Sequence, residues 1–240
     1  MVDIHTHVLP AIDDGPDHIK ESQALLLAAW EAGTRTMVAT PHVLNRLESG
    51  FNALILTTHQ QLLEWTKDAL PEMQLLLGTE IYFQPRMSEF TVFKTATLNG
   101  TGKYMLIEFS MMDVPKAYEK ELDNLFQMGI TPIIAHPERN ALILRKPEIV
   151  RKIIDKGGII QINAGSLLGE NGRSVKKMAQ YLLTNGWVHC IASDTHSIHH
   201  RKPDLRQACE AAAEIIGESA ALRLVQENPK SILDGLYCPS

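Results

Sequence analysis

Met1-Val2-Asp3-Ile4-His5-Thr6-His7, residues 1–7, is a short β-prone run that closes on two histidines one residue apart. In an extended strand alternate side chains share a face, so His5 and His7 can offer two imidazoles to one ion where the strand runs out. Far along the chain, Trp187-Val188-His189-Cys190-Ile191-Ala192 leads in the same way into Asp194-Thr195-His196. Parallel-sheet enzymes keep their chemistry at strand ends. Two such pairs point to a metal site on an α/β frame. A single His-x-His is as readily a packed or surface pair, so the reading depends on what closes the other strands.

Between the two pairs, apolar β-rich runs alternate with helical patterns, the signature of βα units and a parallel sheet. The pattern predicts strands at 2–7, 36–40, 74–80, 104–109, 131–136, 158–163 and 189–193. Helices are expected at 19–32, 51–69, 115–128, 147–156, 175–185, 203–216 and 219–227. Gly33, Gly129, Gly157 and Gly186 each follow a helical run, where a left-handed residue lets the chain turn into the next strand. No repeat, low-complexity tract or linker interrupts the pattern. A single domain over 1–240 is expected, and seven strands in regular alternation fit a distorted (β/α)7 barrel better than an open sheet.

Composition narrows the function classes. The 240 residues are 45% hydrophobic and 21% charged, as in an ordinary soluble domain. A net charge of −5 argues against a general nucleic-acid binder. Cys190, Cys209 and Cys238 form no Cys-x-x-Cys pair, so neither a disulfide framework nor a thiolate zinc site is expected, and a reducing cytoplasm suits the chain. No secretory leader pattern opens it, and no run approaches the roughly 20 apolar residues of a membrane span.

The other strands do end like the first and last. Strand two runs into His42, strand three ends at Glu80, strand four at Glu108 and strand five at His136. Asp14, in the loop Ile12-Asp13-Asp14-Gly15-Pro16, completes a set of five imidazoles and four carboxylates: His5, His7, His42, His136, His196, Asp14, Glu80, Glu108 and Asp194. One ion needs three or four protein ligands, so nine imply a cluster of two or three ions with bridging carboxylates. Asp13 or Asp14 also suits a helix cap ahead of Pro16. His18, His59, His189, His199 and His200 lack such placement. Arg139 and Arg201 follow His136 and His196 closely, and arginine matches phosphate oxygens bidentately. Three divalent ions against four carboxylates leave a positive cleft, which attracts an anion despite the acidic whole.

The ordered set resembles the polymerase and histidinol phosphatase (PHP) superfamily. The residues that carry the likeness are His5-Thr6-His7, Asp13-Asp14-Gly15-Pro16, His42, Glu80-Ile81-Tyr82, Glu108-Phe109-Ser110, Ala135-His136-Pro137-Glu138-Arg139 and Ser193-Asp194-Thr195-His196. Within it the chain is similar, over essentially its whole length, to the bacterial tyrosine-protein phosphatases of capsule and exopolysaccharide clusters, the CpsB and YwqE type. The resemblance implies a trinuclear centre, usually manganese. His5, His7, Glu80 and Asp194 would hold one ion, Glu80, Glu108 and His136 a second, and Asp14, His42 and His196 the third. Arg139 and Arg201 fall where that family places its phosphate-binding arginines. The loop 43–50 is less basic than in the Gram-positive members.

The expected activity is hydrolysis of a phosphomonoester, phosphotyrosine on a protein, by hydroxide held between two ions attacking phosphorus in line. Arg139, Arg201, His42 and His196 are the catalytic candidates, an ion or a protonated imidazole assisting the leaving phenolate. No cysteine nucleophile is needed. The mixed imidazole and carboxylate set also suits iron, cobalt or zinc. The resemblance implies a membrane-anchored tyrosine autokinase as partner, with no nucleic acid and no insertion into the membrane. Histidinol phosphate or another small phosphate is the alternative substrate. An amidohydrolase or TatD-type nuclease, and a non-catalytic metal-bearing scaffold that docks a kinase, are the other readings.

Overall fold

The computed structural model describes residues 1–239, so the expected single unit, 1–240, reaches one residue beyond them. Nine strand segments are present among the described residues: β1 Val2–Thr6, β2 Thr36–Ala39, β3 His42–Val43, β4 Gln74–Leu77, β5 Glu80–Tyr82, β6 Tyr104–Glu108, β7 Thr131–Ala135, β8 Ile159–Asn163 and β9 Cys190–Ala192. They pair in parallel as β1-β2-β4 and β3-β5-β6-β7-β8-β9. Seven staves account for the nine. The expected strands at 36–40 and 74–80 are each bent and counted twice, at Thr40-Pro41 and at Gly78-Thr79. Hydrogen bonds run on through both bends, from Gly78 N to Ala39 O at 2.9 Å and from Glu80 N to Pro41 O at 3.1 Å.

The ring closes where the first stave meets the last. His7 N donates to Thr195 O and Asp194 N to His5 O, each at 2.9 Å, around a parallel bridge between Thr6 and Thr195. The Asp3 carboxylate fastens the same seam by accepting from Ser193 N at 3.0 Å. The seam between β4 and β6 is different. Leu98, fully buried in a short 3-10 turn, Leu98–Gly100, wedges there against Gly78, where a Cβ would meet its Cδ2 at 2.7 Å.

Alternation sorts the staves into two cores. Met105, Ile107, Ile134, Ile160, Ile162 and Ile191 belong to the large apolar cluster formed with the surrounding helices. Ile4, Val38, Leu106, Ile133, Ala135, Cys190 and Ala192 belong to a second cluster in the barrel interior. The helices are α1 Ile19–Glu31, α2 Ser49–Ala69, α3 Tyr118–Gln127, α4 Glu148–Asp155, α5 Ala164–Leu168, α6 Arg173–Thr184, α7 Leu205–Ile216, α8 Glu218–Val225 and α9 Glu227–Leu233. The expected helix at 219–227 is two, α8 and α9, broken at Gln226, and the short α5 had no sequence signature. Ile232 and Leu233 of α9 plug the amino-terminal end of the barrel, where Tyr104 Oη donates to Leu236 O. No helix among the described residues is long and apolar enough to cross a membrane.

Candidate metal centre

All nine expected residues come together at the carboxyl ends of the staves. β1 carries His5 and His7 there through a local irregularity. The pairing shifts by one residue between Asp3 and Thr6, a bulge that lets His5 face into the barrel directly after Ile4. His5 Nε2 lies 3.2 Å from His7 Nε2, 3.2 Å from Glu80 Oε2 and 3.5 Å from Asp194 Oδ1. His7 Nε2 lies 3.3 Å from each of the same two oxygens. Separations of this size would suit ligand atoms that share a divalent ion.

Glu80 faces two ways. Its Oε1 is 3.1 Å from His136 Nε2, which in turn lies 3.6 Å from Glu108 Oε1. On the outer side, Asp14 Oδ1 is 3.0 Å from His196 Nε2 and 3.5 Å from His42 Nε2. His42 spans two groups, because its Nδ1 approaches Glu80 Oε2 at 2.8 Å and Glu108 Oε2 at 3.8 Å. Four sets of donor atoms lie close enough together to share one ion: His5, His7 and Glu80; His5, His136 and Asp194; His42, Glu80 and Glu108; and His7, Asp14, His42 and His196.

The residues fit divalent ions on grounds of unmet valence. Glu80 Oε2, Asp194 Oδ1 and His42 Nδ1 are buried without a hydrogen bond, an arrangement that is costly unless a cation completes it. Burial by itself would raise the Glu80 pKa, yet His5, His136 and His42 hold it well below the usual carboxylate range. Asp194 is likewise held low against its burial, first by His5 and then by His7. Burial and the neighbouring Glu80 charge push Glu108 up. Asp14 is lowered, chiefly by its bond with His196.

A further ring of side chains sets which imidazole nitrogen is free. His7 Nδ1 is 2.7 Å from Asp13 Oδ2, His5 Nδ1 is 2.9 Å from Gln161 Oε1, and His196 Nδ1 is 2.9 Å from the Asp194 carbonyl. Each Nδ1–H donates there, leaving Nε2 as the ligand atom. Asp13 also accepts from His42 N and Gly15 N, so it ties loops together and does not cap α1, whose cap is at His18 with Glu21. A Cβ at Gly15 would strike His7 O, so only glycine lets the loop pass. Gln161 donates onward to Asn163, which donates to Asp194 Oδ2. The sequence reading passed over Gln161 and Asn163, although two inward amides in the apolar run Ile159-Ile160-Gln161-Ile162-Asn163 were the available signal.

Arg139 and Arg201 both reach Asp194 Oδ2, at 3.1 and 2.7 Å, and Arg201 also reaches Asp14 Oδ2 at 3.3 Å. His136, Asp194 and Arg201 have left-handed backbones, with φ of 33°, 53° and 53°. Side-chain-bearing residues in that region cost roughly 1–2 kcal/mol each. Three of the six side-chain-bearing residues with positive φ among the described residues thus stand in the site, and such strain is characteristic of functional sites. His199 and His200 are exposed in the loop beside Arg201, and His59 Nε2 lies 3.2 Å from Leu75 O, outside the centre.

A closed parallel barrel with buried imidazoles and carboxylates gathered at its carboxyl mouth is the framework of a metal-dependent hydrolase. Residues 1–234 match the family described as capsular polysaccharide synthesis, CpsB/CapC. The chain belongs to that family. It is 34% identical to the tyrosine-protein phosphatase CpsB of Streptococcus pneumoniae, over 97% of this chain and 98% of the relative. It superposes with a TM-score of 0.92 and 31% identity on a structure from the set of YwqE from Bacillus subtilis and CpsB from Streptococcus pneumoniae, unique metal-dependent tyrosine phosphatases. That match covers 100% of this chain and 96% of the other. The lactonase Lmo2620 of Listeria monocytogenes shares the fold at a TM-score of 0.61 and 14% identity, covering 100% of this chain and 95% of its own.

Proposed function

We propose that this chain is a metal-dependent protein-tyrosine phosphatase of capsule or exopolysaccharide synthesis, working in the cytoplasm on a membrane-anchored tyrosine autokinase. The observation that carries the reading is the convergence of three buried ligand atoms that make no hydrogen bond, Glu80 Oε2, Asp194 Oδ1 and His42 Nδ1, beside two arginines on one carboxylate. His5, His7, Glu80 and Asp194 would hold a first divalent ion, Glu80, Glu108 and His136 a second, and Asp14, His42 and His196 a third. Manganese is the favoured metal. Bound there, divalent ions supply Lewis acidity and a nucleophile derived from water at neutral pH.

The chain's own residues do the rest. Asp13 and Gln161 fix the imidazole tautomers. Arg139 and Arg201 turn from Asp194 toward the phosphoryl oxygens, offering planar donor pairs to the charge that develops in the transition state. His42 and His196, at the open side, lie nearest the departing oxygen. The three cysteines are buried and take no part.

Turnover of a phosphotyrosine peptide and of histidinol phosphate by purified, metal-analysed protein tests the proposal. EDTA should abolish peptide hydrolysis and thiol alkylation should spare it. Preference for histidinol phosphate, or the reverse inhibitor pattern, would sink it.

A further inference from the structure

Two openings meet the centre at Asp14, one on each side. The first is lined by Arg201 and by charges from Asp17, Lys20 and Glu21, together with the apolar Ala24, Leu25 and Ile198. The second, a recess of about 640 Å³ beside His42, is walled by Ile12, Val43, Leu44, Asn45, Arg46 and Phe51. Its wall is held before any ligand arrives. Asn45 O accepts from Gln84 Nε2 at 2.9 Å, and Val43 pairs with Ile81 across β3 and β5. Arg46, the one basic side chain in the wall, turns to Glu89 at 3.1 Å, a carboxylate it shares with Arg86. Leu44 is 60% exposed, an aliphatic group standing over the recess with Phe51.

We infer that this recess is the leaving-group pocket, taking the aromatic ring of the phosphotyrosyl side chain between Leu44 and Phe51. The inference rests on the proposed phosphatase reading. A phosphoryl group drawn to Arg139 and Arg201 at Asp194 must direct its ester oxygen toward an opening. Arg201 lines the first opening and would hold the phosphoryl group there, and an aryl ring entering it would also desolvate Asp17, Lys20 and Glu21 at a cost. The second offers a preformed apolar recess beside His42, the form in which ring-binding sites usually occur. A seryl phosphate is too short to fill it, because its polar backbone would be drawn against Leu44 and Phe51 with no partner for the peptide groups.

The test is steady-state kinetics of metal-loaded protein on a phosphotyrosine peptide, with inhibition by inorganic phosphate as the ringless control. Leu44→Asn, at an exposed position, should lower kcat/KM for the peptide about tenfold, mainly through KM. Its inhibition constant for phosphate should stay unchanged. Phe51→Leu should move the peptide value in the same direction by less. Unchanged peptide kinetics in Leu44→Asn, or an equal weakening of phosphate inhibition, would overturn the pocket while leaving the phosphatase intact. If the unsubstituted protein fails on the peptide, the phosphatase reading itself has failed.

Discussion

Along four neighbouring staves the interior begins with Tyr104, Ile133, Ile159 and Cys190, and three or four residues later it presents Glu108, His136, Asn163 and Asp194. The two ends of the barrel thus use the same strands for opposite purposes. At the amino-terminal end Leu98, Ile232, Leu233 and Cys238 close an apolar plug. At the carboxyl end buried carboxylates crowd together and three ligand atoms make no hydrogen bond. Burial at one end stabilises what the crowded mouth costs, and the strands rigidly connect them. Substitutions at the two ends should therefore separate activity from stability.

The largest effect is expected at the mouth. Glu80→Gln, or chelation, should lower phosphatase turnover by about a thousandfold or more with little change in the circular dichroism spectrum. Metal analysis should show ions lost with it. Arg201→Ala should reduce kcat by about a hundredfold while the metal content holds, since it bonds Asp194 and Asp14 without ligating. A parallel loss of metal would make Arg201 part of the scaffold of the centre. Gln161→Leu, which frees the His5 tautomer, should weaken metal affinity about ten- to a hundredfold in a chelator competition.

At the plug the balance should reverse. Leu98→Ala should cost about 2–5 kcal/mol of unfolding free energy and leave kcat of the folded protein unchanged. Loss of activity without loss of stability there would break the division between the ends. The smallest effect should come from His189, a buried imidazole just before β9 at the amino-terminal end of the barrel, whose pKa is pushed down to about 4 by burial. Its folded pKa lies below the unfolded one, so the unfolded state binds the extra proton. Stability falls as pH drops from the ordinary histidine range toward about 4. His189→Asn should flatten that part of the Tm against pH curve relative to the unsubstituted protein.

The staves and ligands were legible because each requires a local pattern, an apolar run that stops on a polar side chain. What escaped depends on neighbours distant in sequence. The bulge that turns His5 inward exists only against Met37 and Ala39 of the adjoining strand. The bends at Thr40-Pro41 and Gly78-Thr79 are shaped by the ring, and Leu98 finds its place only because β4 and β6 part around it. Asp13 looked like a helix cap, since nothing local shows its bond to His7. Gln161 and Asn163 were hidden among isoleucines whose apolar character dominated the reading.

The seam between Thr6 and Thr195 sets an order of events for the growing polypeptide. Six of the seven staves emerge before Asp194 does, and an unfinished chain displays His5 and His7 with no acid from the last stave to join them. Contacts spanning almost the whole sequence form late and slowly. The full first group, with Asp194 beside His5, His7 and Glu80, thus exists only once the ring has shut, and a nascent or truncated chain cannot hold a complete centre while its barrel remains open.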